Sequence, residues 1–122
     1  MTQISNNKLI SMTRGDTLSF AIKINKGTVI DPDWYELGED DYVLFGVMEP
    51  HQPFEHALIR KTYTIVDMTE DKEIYMNLSH EDTVHLLPGA YYYEVKLVTK
   101  TSDEDNPIVD TVIPRKRFFI YE

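Results

Sequence analysis

Pro88-Gly89-Ala90-Tyr91-Tyr92-Tyr93-Glu94-Val95-Lys96-Leu97-Val98-Thr99 is the most β-prone stretch of the chain. Pro88 and Gly89 end any element before them, and aromatic and β-branched side chains dominate the ten residues after them. In an extended backbone Tyr91, Tyr93, Val95 and Leu97 share one face, while Tyr92, Glu94, Lys96 and Val98 share the other. One face is wholly apolar and suits a core. The other is mixed and suits a partly solvated sheet surface.

The same period of two recurs on both sides of this stretch. Leu18, Phe20, Ile22 and Ile24 alternate with polar or small residues, and Asn25-Lys26-Gly27 supplies a turn after them. Thr28-Val29-Ile30 reads as a short return strand, followed by a loop to Asp41. Tyr42 to Met48 is apolar on both faces, which predicts a central strand with Val43, Phe45 and Val47 on the more buried side. Gly46 within it marks a bulge or a close approach. Strands are predicted at 57–66 and 72–78, the second with Ile74, Met76 and Leu78 on one face. Ser79 is a helix N-cap with Asp82 three positions on, and only about one turn fits before Pro88. Ile108 to Ile113 and Arg117 to Tyr121 close the chain as two strands, or as one bent at Pro114.

Seven or eight short strands with frequent turn signals predict an all-β domain. The expected architecture is an immunoglobulin-like antiparallel β-sandwich, with a small β-barrel as the alternative. A length of 122 residues fits one domain, read as a flexible N-terminal arm at 1–7 and a single sandwich at 8–122. With 42% hydrophobic residues a core is feasible without cross-links. There is no cysteine, which removes disulfides, zinc ribbons and thiol chemistry together. The net charge of −9 argues against nucleic acid or an anionic membrane as partner. The polar start, Met1 to Lys8, carries no secretion signal, and no apolar run is long enough to span a bilayer.

Several short patterns bear on chemistry. Arg14-Gly15-Asp16 matches the integrin tripeptide, but Gly15 and Asp16 also make a turn before the Leu18 strand. The histidines fall as His51/His56 and His80/His85, each pair five positions apart, which does not suit two ligands on one helix face. Acidic clusters at Glu36, Glu39, Asp40 and Asp41 and at Asp103, Glu104 and Asp105 lack the alternation of a calcium loop and read as solvated loop charge. No nucleophile elbow, zinc-protease signature or phosphate-binding glycine loop is present. No catalytic residue, cofactor or metal ligand is therefore assigned, and the chain is expected not to be an enzyme. Trp34, Tyr35 and Tyr92 remain as binding candidates. They would stack on a sugar if they shared a surface, or serve as core and interface material if they did not.

Longer stretches resemble a family. Arg14-Gly15-Asp16-Thr17 with the Leu18–Ile24 strand is similar to the opening of small β-sandwich proteins of tailed phages and prophages. Leu87-Pro88-Gly89-Ala90-Tyr91-Tyr92-Tyr93-Glu94-Val95-Lys96-Leu97 looks like the Pro-Gly-x-Tyr-x-Tyr strand of the same family. Asp110-Thr111-Val112-Ile113-Pro114 and Arg117-Phe118-Phe119-Ile120 resemble its closing strands. The nearest match is the N-terminal domain of upper baseplate proteins. The resemblance implies a structural or assembly role as a baseplate- or tail-type adaptor. It implies other virion or baseplate proteins as partners, a homo-oligomer, synthesis in the host cytoplasm and a place in the virion. No stalk or receptor-binding tip is expected, so host recognition is not carried over. A carbohydrate-binding or adhesin-like module using Trp34, Tyr35 and Tyr92 is the alternative.

Overall fold

The computed structural model describes residues 3–4, 9–28, 30–103 and 105–122, the first pair by backbone alone. Eight strands appear in chain order: β1 (Gln3–Ile4), β2 (Ile10–Thr13), β3 (Leu18–Ile22), β4 (Tyr42–Met48), β5 (Ile59–Tyr63), β6 (Ile74–Leu78), β7 (Gly89–Thr99) and β8 (Ile108–Tyr121). One short helix, α1 (His80–Thr83), comes after β6. No helix among the described residues is long and apolar enough to cross a membrane.

The strands form two sheets. Six of them lie in the order β1-β2-β8-β7-β4-β5, and β3 pairs only with β6. No ladder joins the two sheets, so the described residues do not close as a hydrogen-bonded barrel. The expectation of a purely antiparallel sandwich needs correction, because β2 runs parallel to β8, with Ile10 opposite Phe118 and Thr13 opposite Tyr121. The cause is connectivity. The chain leaves β2 through the Arg14-Gly15 turn and crosses to the other sheet as β3, so nothing forces β2 to run against its neighbour.

Alternation decides what each sheet buries. Val43, Phe45 and Val47 of β4 and Tyr91, Tyr93, Val95 and Leu97 of β7 are buried, as their period predicts. From the two-stranded sheet Leu18, Ile74, Met76 and Leu78 join the same core. Aromatic rings run through its centre. The Phe20 centroid lies 6.1 Å from that of Phe45, Phe45 lies 5.8 Å from Tyr93, and Tyr93 lies 6.4 Å from Phe118. Edge-to-face and tilted pairs of this kind add to the stabilisation from burial alone.

Local details depart from expectation in three places. Thr28 and Ile30 are in no strand, and Val29 lies outside the described residues. Residues 24–26 instead bond to 33–35, through the Lys26 amide to the Asp33 carbonyl and the Tyr35 amide to the Ile24 carbonyl. Strand β2 is not legible as a strand in the sequence at all. The last two segments are one strand, which is the expected alternative of a single strand bent at Pro114, with the irregularity between Tyr93 and Lys96 of the partner β7, where Pro114 has no amide to give the ladder. Of the arm expected at 1–7, Gln3–Ile4 pairs with Ile10–Ser11, and the rest lies outside the described residues.

Gly46 keeps a regular register in β4, so it marks a close approach and not a bulge. A Cβ there would lie 2.7 Å from Phe54 Cε2 and 3.2 Å from the Ala57 Cβ. Phe54 belongs to a single 3₁₀ turn, Phe54–His56, that covers the outer surface of the sheet. Met48, also on the outward side of β4, is fully buried.

Candidate functional site

The two sides of the molecule differ in how their sheet edges are closed. Beside β5 and β6 the Asn77 amide donates to the Tyr63 hydroxyl at 3.0 Å, and Lys61 reaches Asp82 at 2.9 Å. Beside β3 and β8 the edges stay open. Strand β2 covers only Phe118–Tyr121 of β8, so the first half of β8 has a strand neighbour on one side alone. Strand β3 likewise has β6 and no second strand neighbour among the described residues.

Between these edges lies a groove of about 720 Å³, walled by residues 20–26 and 110–113 and floored by Tyr93. Phe20 and Ile22, which alternation assigns to the core, are only half-buried because they line it. Trp34, 39% exposed, stands at its mouth with Lys23 Nζ 5.2 Å from the indole centroid. Lys26 crosses to Asp110 of β8 at 3.1 Å and is the one ion pair spanning the opening among the described residues. The groove is thus apolar inside and charged at the rim, with backbone donors and acceptors along both walls. That combination accepts an extended chain better than it performs chemistry.

The three expected binding residues fall in different places. Trp34 lines the groove. Tyr35 turns toward the core, and its hydroxyl donates to the Asp41 carboxylate. That hydrogen bond, with burial and the Asp41 charge, raises the Tyr35 pKa above its ordinary value. Tyr92 lies opposite Met48 and Arg117, on the face of β7 away from Tyr93 and therefore away from the groove. The three rings do not share one surface, which is the second of the two expected arrangements. The physical reason is alternation, since Tyr92 and Tyr93 are adjacent in a strand and point to opposite faces.

The other patterns resolve as structure. Gly15 has φ +84°, its amide donates to Thr83 Oγ1 at 2.9 Å, and its carbonyl accepts from His80 Nδ1 at 2.7 Å. The Arg14-Gly15-Asp16 turn is therefore bolted to α1, and the glycine is required by its backbone conformation. Asp41 is not solvated but buried, accepting the Gly38 amide at 2.8 Å as well as Tyr35. Asp103 accepts from the Asp105 amide and the Asn106 side chain within its own loop. Glu104 lies outside the described residues. Among the described residues no group of three His, Asp or Glu side chains is placed to hold a metal ion.

Asp82 has a structural role that its position implies. Burial opposes its ionisation, but the Ser79 amide at 2.7 Å and the Lys61 ammonium outweigh it and hold the carboxyl below the usual range. A depressed folded pKa contributes stability that is present above the unfolded value of 3.8 and is lost on acidification through the folded one. Asp82→Asn should cost about 1–2 kcal/mol at neutral pH, and its deficit relative to the native chain should shrink as the pH falls below the unfolded value of 3.8 and through the folded one. Urea titrations of both chains across that pH range check this.

Sequence reasoning missed two features of the surface. Lys23 and Lys26, just after β3, meet Asp110 of β8 at the groove rim, and the pair Lys26–Asp110 is 84 positions apart with no local signal. The second is the run Arg115-Lys116-Arg117, which with Leu9 and Tyr92 lines a shallow depression of about 380 Å³ on the opposite face of the sheet. Three consecutive cations in a chain of net charge −9 were the available sign. Comparison of the chain with protein families, curated proteins and solved structures finds no match.

Proposed function

We propose that the chain is a non-enzymatic interaction module with an immunoglobulin-like sandwich, acting through protein–protein contacts in a phage or prophage assembly of the baseplate or tail type. The strand order supports the fold. With β3, β4, β5, β6, β7 and β8 in the roles of immunoglobulin strands B, C, C′, E, F and G, the order G-F-C-C′ faces the pair B-E. A tyrosine corner supports it too. Tyr91, at the start of β7, donates its hydroxyl back to the Leu87 carbonyl at 2.6 Å. Antibody domains join strands B and F by a disulfide and pack a tryptophan of strand C against it. Here Phe20, Tyr93 and Phe45 come from those strands and touch ring to ring.

Tyr91→Phe keeps the ring and removes the corner hydrogen bond. It should destabilise the chain by about 1 kcal/mol, read as a lower urea midpoint at unchanged slope.

The observation that carries the functional reading is the open groove between β3 and the first half of β8. Free strand edges beside an apolar cleft are a liability in an isolated domain and an asset in one that is covered by a neighbour. The phage setting rests on the resemblance of residues 14–24, 87–97 and 110–120. Deleting the gene from a phage or prophage that carries it should leave lysis intact and abolish complete particles by electron microscopy. Normal particle yield and morphology without the chain would overturn the reading.

A further inference from the structure

The charge of the six-stranded sheet is unevenly placed. Tyr42 pairs with Val98 and Val43 with Tyr63, so the loops before β4, after β5 and after β7 gather at one end of the sheet. Those loops expose Glu36, Glu39, Asp40, Glu70, Asp71 and Asp103. The opposite sign collects on the outer face of β7 and β8. There Arg117 lies directly across from Tyr92, and the depression they share is completed by Leu9, Arg115 and Lys116. Arg115 is held by Glu94 at 2.9 Å. Arg117 has no carboxylate partner among the described residues, and Lys116 lies across from the inward-facing Tyr93.

We propose that this basic face receives the acidic loop end of a second copy of this chain, a head-to-face contact that deepens the interaction-module reading and rests on it. Charge complementarity selects the occupant. At a net charge of −9 most of one copy repels another, and the Tyr92–Arg117 face is where an acidic end is attracted. Arg117 shares this depression with Leu9 and Tyr92, so an incoming carboxylate can meet the guanidinium beside some apolar surface. Each copy carries both halves of the contact on different patches. The contact is therefore heterologous, and its repetition builds a ring or a filament instead of a closed two-fold dimer.

Sedimentation velocity on the whole chain tests this. At low salt (~50 mM) the native chain should sediment above its 14.3 kDa monomer, and it should return toward the monomer by ~500 mM salt as screening removes the attraction. Arg117→Glu, on an exposed position, should weaken association at least about tenfold with no change in thermal midpoint. The pair Glu70→Lys and Asp71→Lys should do the same from the other side. Mixing the two variants should restore association, because the reversed end then meets the reversed face.

A native chain that is monomeric at every salt overturns the proposal. So does association that ignores Arg117→Glu, and so does a mixture that stays monomeric. Particles that assemble normally with the Arg117→Glu chain would sink this contact and leave the interaction-module reading standing. Self-association of a chain whose deletion leaves particles intact would do the reverse.

Discussion

Tyr93→Ala should remove about 3–5 kcal/mol of folding stability. Tyr93 is 1% exposed and stands between Phe45 and Phe118 at the level where the two sheets meet. Truncation leaves a cavity lined by rings and strand backbone that cannot collapse without distorting β7. Single domains have about 5–15 kcal/mol in total, so at least about a fifth of the stability is at stake. The expected fall in thermal midpoint is about 10–20 °C, with Trp34 at the groove mouth as the fluorescent reporter. A loss below about 1 kcal/mol would mean that the sheets do not share this core.

The same residue gives a test at high pH. Burial pushes the Tyr93 hydroxyl up to about 12 from an ordinary value of 10.0. A raised folded pKa contributes stability that is fully present below the unfolded value and is lost as pH rises through the folded one. The native chain should therefore lose stability between about pH 10 and pH 12. Tyr93→Phe, which has no proton to lose there, should lose less over the same interval.

Gly46→Ala is the second large effect, and its cause is external to the strand. Alanine suits a β-strand at least as well as glycine, yet its Cβ would stand 2.7 Å from the Phe54 ring. The ring must move, and with it the Lys96 ammonium 5.2 Å from its centroid. The expected cost is about 1–3 kcal/mol. Phe54→Ala is itself destabilising, but in its presence Gly46→Ala should cost less, with only the 3.2 Å approach to the Ala57 Cβ remaining. A double-mutant cycle should give a coupling of about 1 kcal/mol or more. Additive effects would show that the Phe54 turn does not press on β4.

Much of the fold was legible because burial imposes a period of two. Strands β6 and β7 alternate cleanly, and both appear where Ile74, Met76 and Leu78 and the Tyr91–Leu97 face predict them. The single helical turn at 80–83 was legible from Ser79 and Asp82, which are hydrogen-bonded as an N-cap pair. Strand β2 was not, because Ile10-Ser11-Met12-Thr13 is too short for its alternation to stand out. Its parallel pairing with β8 was not either, since pairing across more than a hundred positions leaves no mark on either segment. Thr28–Ile30 failed for a different reason. The chain after the Asn25–Gly27 turn has a better partner in residues 33–35, whose register is set by the Asn25 side chain accepting from the Asp33 amide at 2.9 Å.

The site was less legible than the fold. Trp34, Tyr35 and Tyr92 were grouped by residue type, but faces and sheets, not residue type, decide which rings meet. The groove exists because β2 stops short along β8, a fact about two chain lengths in one ladder. The basic face depends on Arg117 lying across from Tyr92, a register that no window of sequence contains.

The proposed role makes this chain a repeated part of an assembled particle. Quantitative mass spectrometry of density-purified, salt-washed particles measures it directly. The chain is expected at a fixed stoichiometry to the major shell protein, in several copies per particle. Particles free of the chain, made by cells that express it, would overturn the proposal.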